Sequence, residues 1–194
     1  KVTGSQKING VQYHFRADGR QILPCGVSRQ YELTSRQGSN QRATPKYIIL
    51  HDVGSRATGQ QAASFMQRTA NSNQAYTNFI VGNGGTVYLM KEPGTVSWGA
   101  GTTVNQNAPV QIELGQTSNA ATFRRDYQAY VALARDMAGK YNIPLTPDQG
   151  GAGAKGIKSH RWVSQHIWGD HQDPYEYLAR FGVTKQELVD DLAG

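Results

Sequence analysis

A cluster of histidines and aspartates near the end of the chain constrains its fold more than any other feature. Between Ser159 and Tyr177 lie three of the five histidines, His160, His166 and His171, together with Asp170 and Asp173. Neutral imidazoles and a carboxylate are the donors that suit a borderline divalent cation such as zinc. The three histidines are spaced too irregularly, with Gly169 among them, to share one helical face. The segment therefore reads as loop-like, and at least one more ligand must come from elsewhere. Only His14 and His51 remain to supply an imidazole. His51 ends the apolar run Tyr47-Ile48-Ile49-Leu50, where a strand would present it rigidly. The pattern predicts a hydrolytic zinc site built from His51, His160 and one acid of the cluster.

Two acids compete for the third position. Asp173 precedes Pro174, whose ring favours an extended residue before it. Asp170 follows Gly169 and reads first as a turn residue. Three protein ligands leave a position for water, whose pKa zinc lowers from about 16 to about 7. Hydrolysis also needs a base, and Glu113 is the local choice. It is the one carboxylate in the apolar strand Val110–Leu114, where half-burial would raise its pKa into the range for proton transfer. A glutamate on a solvent-facing edge satisfies the same alternation. His171, two residues before Asp173, would sit close enough to the metal to stabilise a developing oxyanion.

Composition bounds the partners more than the chemistry. A chain of 194 residues rich in Gly fits one domain of ordinary size with a short appendage. A formal charge of +6 favours an acidic partner. The basic residues (among them Arg29, Arg36, Arg42, Arg68, Arg124 and Arg125) are scattered and carry no nucleic-acid recognition motif. Anionic wall polymers suit the charge equally well. No apolar run reaches the ~18 to 20 residues of a membrane span. The single Cys25 excludes an intramolecular disulfide and any Cys-rich zinc module. The start at Lys1 rather than Met suggests an excised or processed fragment.

Along the chain, Ile8 to Gly19 reads as a polar hairpin, with Asn9-Gly10 and Asp18-Gly19 as turns and Tyr13 and Phe15 on one face. Residues 1–24 resemble one unit of the aromatic-rich cell-wall-binding repeats. Residues 25–45 are polar and read as a linker or surface arm. Strands are expected at Tyr47–Leu50, Ala75–Val81, Thr86–Met90 and Val110–Leu114, with a hairpin turn over residues 82–85. Helices are expected over residues 59–70, over Phe123–Tyr141, and from a capping box at Thr184 and Glu187 through Leu192. Gly150–Gly156 reads as a flexible loop. The interleaving predicts an α/β domain over residues 46–194, with a single central mixed β-sheet flanked by α-helices and a short N-terminal hairpin appendage.

These motifs, in this order, resemble the zinc-dependent N-acetylmuramoyl-L-alanine amidases of the T7-lysozyme and peptidoglycan-recognition-protein type. The similarity is to the amidase domains of bacterial autolysins and phage lysins in particular. Ile48 to Asp52 resembles the strand that ends in the first zinc histidine, and Val110 to Leu114 the strand with the catalytic glutamate. Ser97-Trp98-Gly99-Ala100-Gly101 is similar to a substrate-groove motif, and Ser159 to Ser164 to the segment with the second zinc histidine. Asp170 to Pro174 resembles the closing motif. The resemblance implies one zinc ion on His51, His160 and Asp173, with Glu113 and His171 catalytic and Asn78, Trp98 and Trp162 binding substrate. Asn78 stands where many relatives carry a histidine, and it cannot titrate. His166 matches nothing in the family pattern. The implied protein is a secreted or phage-borne, monomeric hydrolase of bacterial peptidoglycan. A peptidoglycan-binding module without catalysis and a zinc peptidase acting on wall cross-links are its rivals.

Overall fold

The computed structural model describes residues 27–193 in full and, of residues 1–26, only the backbone of three strands. These are β1 (Gly4–Ile8), β2 (Val11–Phe15) and β3 (Gln21–Ile22), an antiparallel sheet in that order, with Ile8 opposite Val11 and Phe15 opposite Gln21. A third strand thus joins the expected hairpin. The Asn9-Gly10 and Asp18-Gly19 turns, and the side chains of Tyr13, His14, Phe15 and Cys25, lie outside the described residues.

Six further strands form one sheet. They are β4 (Val27–Ser28), β5 (Tyr47–Asp52), β6 (Phe79–Gly82), β7 (Thr86–Leu89), β8 (Val110–Leu114) and β9 (Gly156–Ser159), in the order β4-β7-β6-β8-β5-β9. Strands β6, β8, β5 and β9 are mutually parallel. Strand β7 runs antiparallel to β6, and β4 pairs parallel with β7, so the sheet is mixed. Helices α1 (Gly59–Asn73), α2 (Thr102–Asn105), α3 (Ala120–Tyr141), α4 (His160–His166), α5 (Tyr175–Ala179) and α6 (Lys185–Ala193) cover it.

Period-two alternation divides the apolar residues between the faces. Ile48, Leu50, Val110, Ile112 and Leu114 pack with Phe123, Tyr130 and Leu133 of α3 and Leu188 of α6. On the opposite face, Ile80 and Tyr88 meet α1, while Tyr47 and Ile49 meet Val104 of α2 and Trp162 and Val163 of α4. The same alternation carries His51, Gln111 and Glu113 onto this second face. Local signals fix the helix ends. Thr58 and Gln61 form a reciprocal capping box at α1, and Asn119 Oδ1 accepts from Thr122 N (2.9 Å) at α3. Left-handed Gln74 and Asn142 close the same two helices. Thr184 Oγ1 accepts from Glu187 N (3.1 Å) at the start of α6.

Three expectations are corrected. Of residues 25–45, read as a linker or surface arm, the described part from Val27 is an arm built into the domain rather than a linker, because β4 is one edge strand of the sheet and Leu33 is buried beside Met90. Lys91 Nζ holds it there through the carbonyls of Thr34 (3.0 Å) and Gln37 (2.7 Å). The strand expected from Ala75 begins only at Phe79. Residues 159–177, read as loop-like, contain α4 and the start of α5, whereas residues 150–155 are the turns expected there.

Helix α1 starts against the ends of β6 and β8 at a seam of three glycines. A Cβ on Gly115 would lie 2.3 Å from Gly59 N, and one on Gly82 2.7 Å from Gly59 Cα. Backbone cannot yield as a side chain can, so Gly115→Ala should destabilise the domain by about 1–3 kcal/mol. Gly139→Ala in α3, where a Cβ meets nothing within 4 Å, should instead stabilise it by about 0.5–1 kcal/mol. Urea denaturation midpoints measure both.

Candidate active site

Strand register assembles the chemistry. Pairing of β5 with β8 sets His51 beside Glu113, and pairing with β9 sets Leu50 beside Ser159. Ser159 caps α4 by accepting Trp162 N on its Oγ (2.9 Å), so His160 opens that helix at the sheet's edge of chemistry. Clefts outside the carboxyl ends of parallel strands are where α/β sheets place their ligands. Asp173 returns to the same point, and its carbonyl accepts from Arg161 N (3.0 Å).

The three donors converge. His51 Nδ1 lies 3.0 Å from His160 Nδ1 and 3.3 Å from Asp173 Oδ2, and His160 Nδ1 lies 3.2 Å from Asp173 Oδ1. A tetrahedral ion with bonds near 2.0–2.1 Å spaces its donors by about 3.3 Å, so this set already stands at ligand spacing. Electrostatics point the same way. Burial opposes charge on His51, but Asp173 and Glu113 outweigh it and lift its pKa to about 9. Burial and the neighbouring His51 push His160 down to about 4. Burial works to raise Asp173, yet His160 and His51 hold it well below the usual carboxylate range. The cluster favours one positive charge between two nitrogens and a carboxylate, and a divalent cation competes with the proton for that place. His51, His160 and Asp173 therefore fit a metal ion.

A second layer of polar groups aims His51. Its Nε2 lies 3.0 Å from Gln111 Oε1. The Gln111 amide donates to Asn105 Oδ1 (2.9 Å) and Ser97 O (3.2 Å), which fixes Oε1 toward the ring. Nε2 then carries the ring proton when a metal takes Nδ1. Tyr130 OH donates to the His51 carbonyl (2.9 Å) from beneath the sheet.

Glu113 is buried, and its Oε2 has no hydrogen-bond partner among the described residues. Burial lifts its carboxyl to about 8 against the pull of His51, with Asp173 and Asp52 adding to the rise. His171 stacks on His160 with ring centroids 3.9 Å apart, its Nδ1 3.6 Å from Asp173 Oδ1 and its side chain 52% exposed. Ser164 Oγ accepts from its backbone N–H (2.9 Å).

Two residues expected to touch substrate do not reach the surface. Asn78 is 0% exposed. Its Oδ1 accepts from Gln111 N (2.9 Å) and Ser97 Oγ (3.0 Å), and its amide donates to Thr95 O (3.2 Å). Trp162 is 2% exposed, packed on Tyr47 and under Lys158 Nζ, with its indole N–H on Gly150 O (3.2 Å). Both serve the scaffold. Trp98 is half-buried with its ring edge to Tyr76. His166 stacks on Trp162, away from the donors, and Asp170 is exposed outside them. Sequence reasoning missed Gln111, although an amide on the same strand face as Glu113 is a usable signal. It also missed Asp148, whose partners are set by tertiary contacts alone.

Residues 41–176 match the family model described as N-acetylmuramoyl-L-alanine amidase. The chain belongs to that family. This amidase chain is 42% identical over 150 residues to an endolysin of Listeria phage A511, covering 76% of the chain and 43% of the relative. It is 29% identical over 155 residues to a lytic amidase of Streptococcus pneumoniae phage HB-3, covering 76% and 46%. The amidase chain thus spans less than half the length of these relatives. Its fold is similar to that of the Staphylococcus aureus hydrolase AmiA solved with its ligand, at a TM-score of 0.74 and 23% identity over 87% of the chain and 82% of that structure. PlyL follows at a TM-score of 0.67 and 15% identity, with 87% and 97% covered.

If Gln111 aims His51, Gln111→Ala should lower metal affinity by about 10- to 100-fold while leaving a single site. Competition with a chromophoric chelator measures this, and unchanged affinity would remove Gln111 from the site.

Proposed function

We propose that this amidase hydrolyses the amide between N-acetylmuramic acid and the L-alanine of the stem peptide in bacterial peptidoglycan, with one zinc ion held by His51, His160 and Asp173. One observation carries the reading: the His-His-Asp donor set converges beside the buried Glu113, whose Oε2 has no hydrogen-bond partner among the described residues, in a chain of this family. Two imidazoles and a carboxylate at tetrahedral spacing suit zinc best among common divalent ions. Held by His51, His160 and Asp173, a zinc ion would supply Lewis-acid chemistry for the scissile carbonyl and for activating water.

The chain's own groups handle the protons. Oε2 of Glu113 accepts a proton from the attacking water and returns it to the departing amide nitrogen. Its raised pKa suits both directions of transfer near neutral pH. His171, solvent-accessible and stacked on His160, directs an N–H at the carbonyl oxygen as negative charge develops there. Trp98, half-buried, is the aromatic residue left to contact substrate. The names endolysin and lytic amidase among the relatives support action on the bacterial wall, by a secreted or phage-borne enzyme. No helix among the described residues is long and apolar enough to cross a membrane.

Mass spectrometry of purified peptidoglycan digested with and without a zinc chelator tests the proposal. Stem peptides with a free L-alanine amine should be released only when metal is present. Cleaved cross-links would make the chain a peptidase, and wall binding without release a recognition module. Glu113→Gln should keep one zinc per chain and lose about 100-fold or more in kcat, whereas His160→Ala and Asp173→Ala should lose the metal as well.

A further inference from the structure

Trp168 is 69% exposed, and with Phe65 it is one of two exposed large hydrophobic side chains among the described residues. Isolated surface aromatics are ordinary, but this one forms the wall of a cavity. The cavity, of about 440 Å³, opens between the start of α2 and the end of α4, against Gly101, Thr102, Thr103, Ile167 and Trp168. Ligand sites commonly occupy about 300–1,000 Å³. The indole is braced. Trp168 N donates to Val163 O (3.0 Å), as does Ile167 N (2.8 Å). Gly101 sits beneath the ring, where a Cβ would come 3.2 Å from Trp168 Cε3. The positive φ of Gly101, +80°, favours glycine as well.

Both sides of the cavity are tied to the candidate active site. Asn105 Oδ1 accepts from Gly99 N (3.2 Å) and Ala100 N (2.9 Å) next to the cavity, and from the Gln111 amide that aims His51. Three residues beyond Trp168, His171 stacks on His160. Six steps of α4, about 9 Å at 1.5 Å per residue, separate His160 from His166, and Trp168 lies two residues beyond. A ligand in the cavity is therefore within reach of neighbouring rings of a polymer whose scissile bond lies at His160.

We infer that this cavity is a saccharide subsite that holds an N-acetylhexosamine ring of the glycan strand adjoining the muramoyl unit under attack. The inference rests on the amidase reading for the identity of the polymer. The lining chemistry selects sugar over stem peptide. None of the lining side chains is charged, whereas stem peptides carry carboxylates and an ammonium that such walls leave unpaired. A flat indole face suits the C–H face of a pyranose. The exposed hydroxyls of Thr102 and Thr103 can donate to or accept from ring hydroxyls and an acetamido group. The subsite would favour polymeric wall over isolated muramoyl peptides.

Calorimetric titration with a peptide-free tetrasaccharide of alternating N-acetylglucosamine and N-acetylmuramic acid tests the subsite apart from catalysis. Trp168→Ala should weaken binding about tenfold and Trp168→Phe about threefold, since about 1.4 kcal/mol is a factor of ten. Zinc content should remain one ion per chain in both variants. Equal affinity in wild type and Trp168→Ala overturns the subsite. So does a wild-type chain that releases stem peptides yet binds no tetrasaccharide at millimolar concentration. Tetrasaccharide binding that depends on Trp168, in a chain that releases no stem peptide, upholds the subsite and overturns the amidase reading instead.

Discussion

Parallel pairing of β5 with both β8 and β9 decides where Glu113 and the two histidine donors of this site stand. His51 faces Glu113 across one seam, and Leu50 faces Ser159 across the other, one residue before His160. A slip of one residue in either seam would turn Glu113 or His51 onto the α3 face, among Tyr130 and Leu133. The register is held by the burial of β5 and β8 along their whole length, since each one-residue slip would also expose the Ile48, Leu50, Ile112 set to the wrong neighbours. The apolar core thus specifies the geometry of the donor set.

Polar groups on a buried sheet face cost free energy unless they are paired. This face handles that cost with a closed amide network. Gln111, Asn78, Asn105 and Ser97 satisfy one another and nearby carbonyls, and the network ends on the ring of His51. Glu113 departs from the pattern, with a buried oxygen unpartnered among the described residues. Where a scaffold pairs every neighbour and leaves one carboxylate oxygen aside, that oxygen is available to a reaction. The raised pKa of Glu113 is the same fact in another form, because desolvation without a partner favours the protonated acid.

How much of this was legible depended on whether a signal was local. His51 at the end of an apolar run and Glu113 inside another are local anomalies, and both stand in the donor cluster or beside it. The mixed sheet and its flanking helices followed from periodicity, as did the capped start of α6. Strand β9 was not legible, because Gly156-Ile157-Lys158-Ser159 lacks strand-like composition. Its Lys158 is nonetheless fully buried, held by the Gln149 carbonyl and the face of Trp162. Helix α4 was hidden by the same histidines that advertised the chemistry, since only His160 at its first turn faces the site. Asn78 and Trp162 were misplaced for one reason: residue type suggested ligand contact, while tertiary packing used their polar atoms inside the scaffold.

Asp148 shows why the donor set needs no ligand to define its shape. Its carboxylate accepts from Ser159 N (2.7 Å) and Ser159 Oγ (2.8 Å) on one side and from Tyr175 OH (2.6 Å) on the other. Ser159 immediately precedes His160, and Tyr175 lies two residues after Asp173. One buried acid therefore clamps the two donors that come from the C-terminal segment, thirteen residues apart. His51 is clamped independently through Gln111 and Tyr130. With each donor fixed by the scaffold, little ordering remains for an incoming ion to accomplish, and binding energy is spared from shaping the site. The exposed His171 is the exception among the catalytic candidates. Its ring rests on His160, and its backbone is tied by Ser164 beside Gly169 at φ +114°. Of the three donors only His51 lies on the sheet, while His160 opens α4 and Asp173 shares with His171 the segment that also carries Trp168.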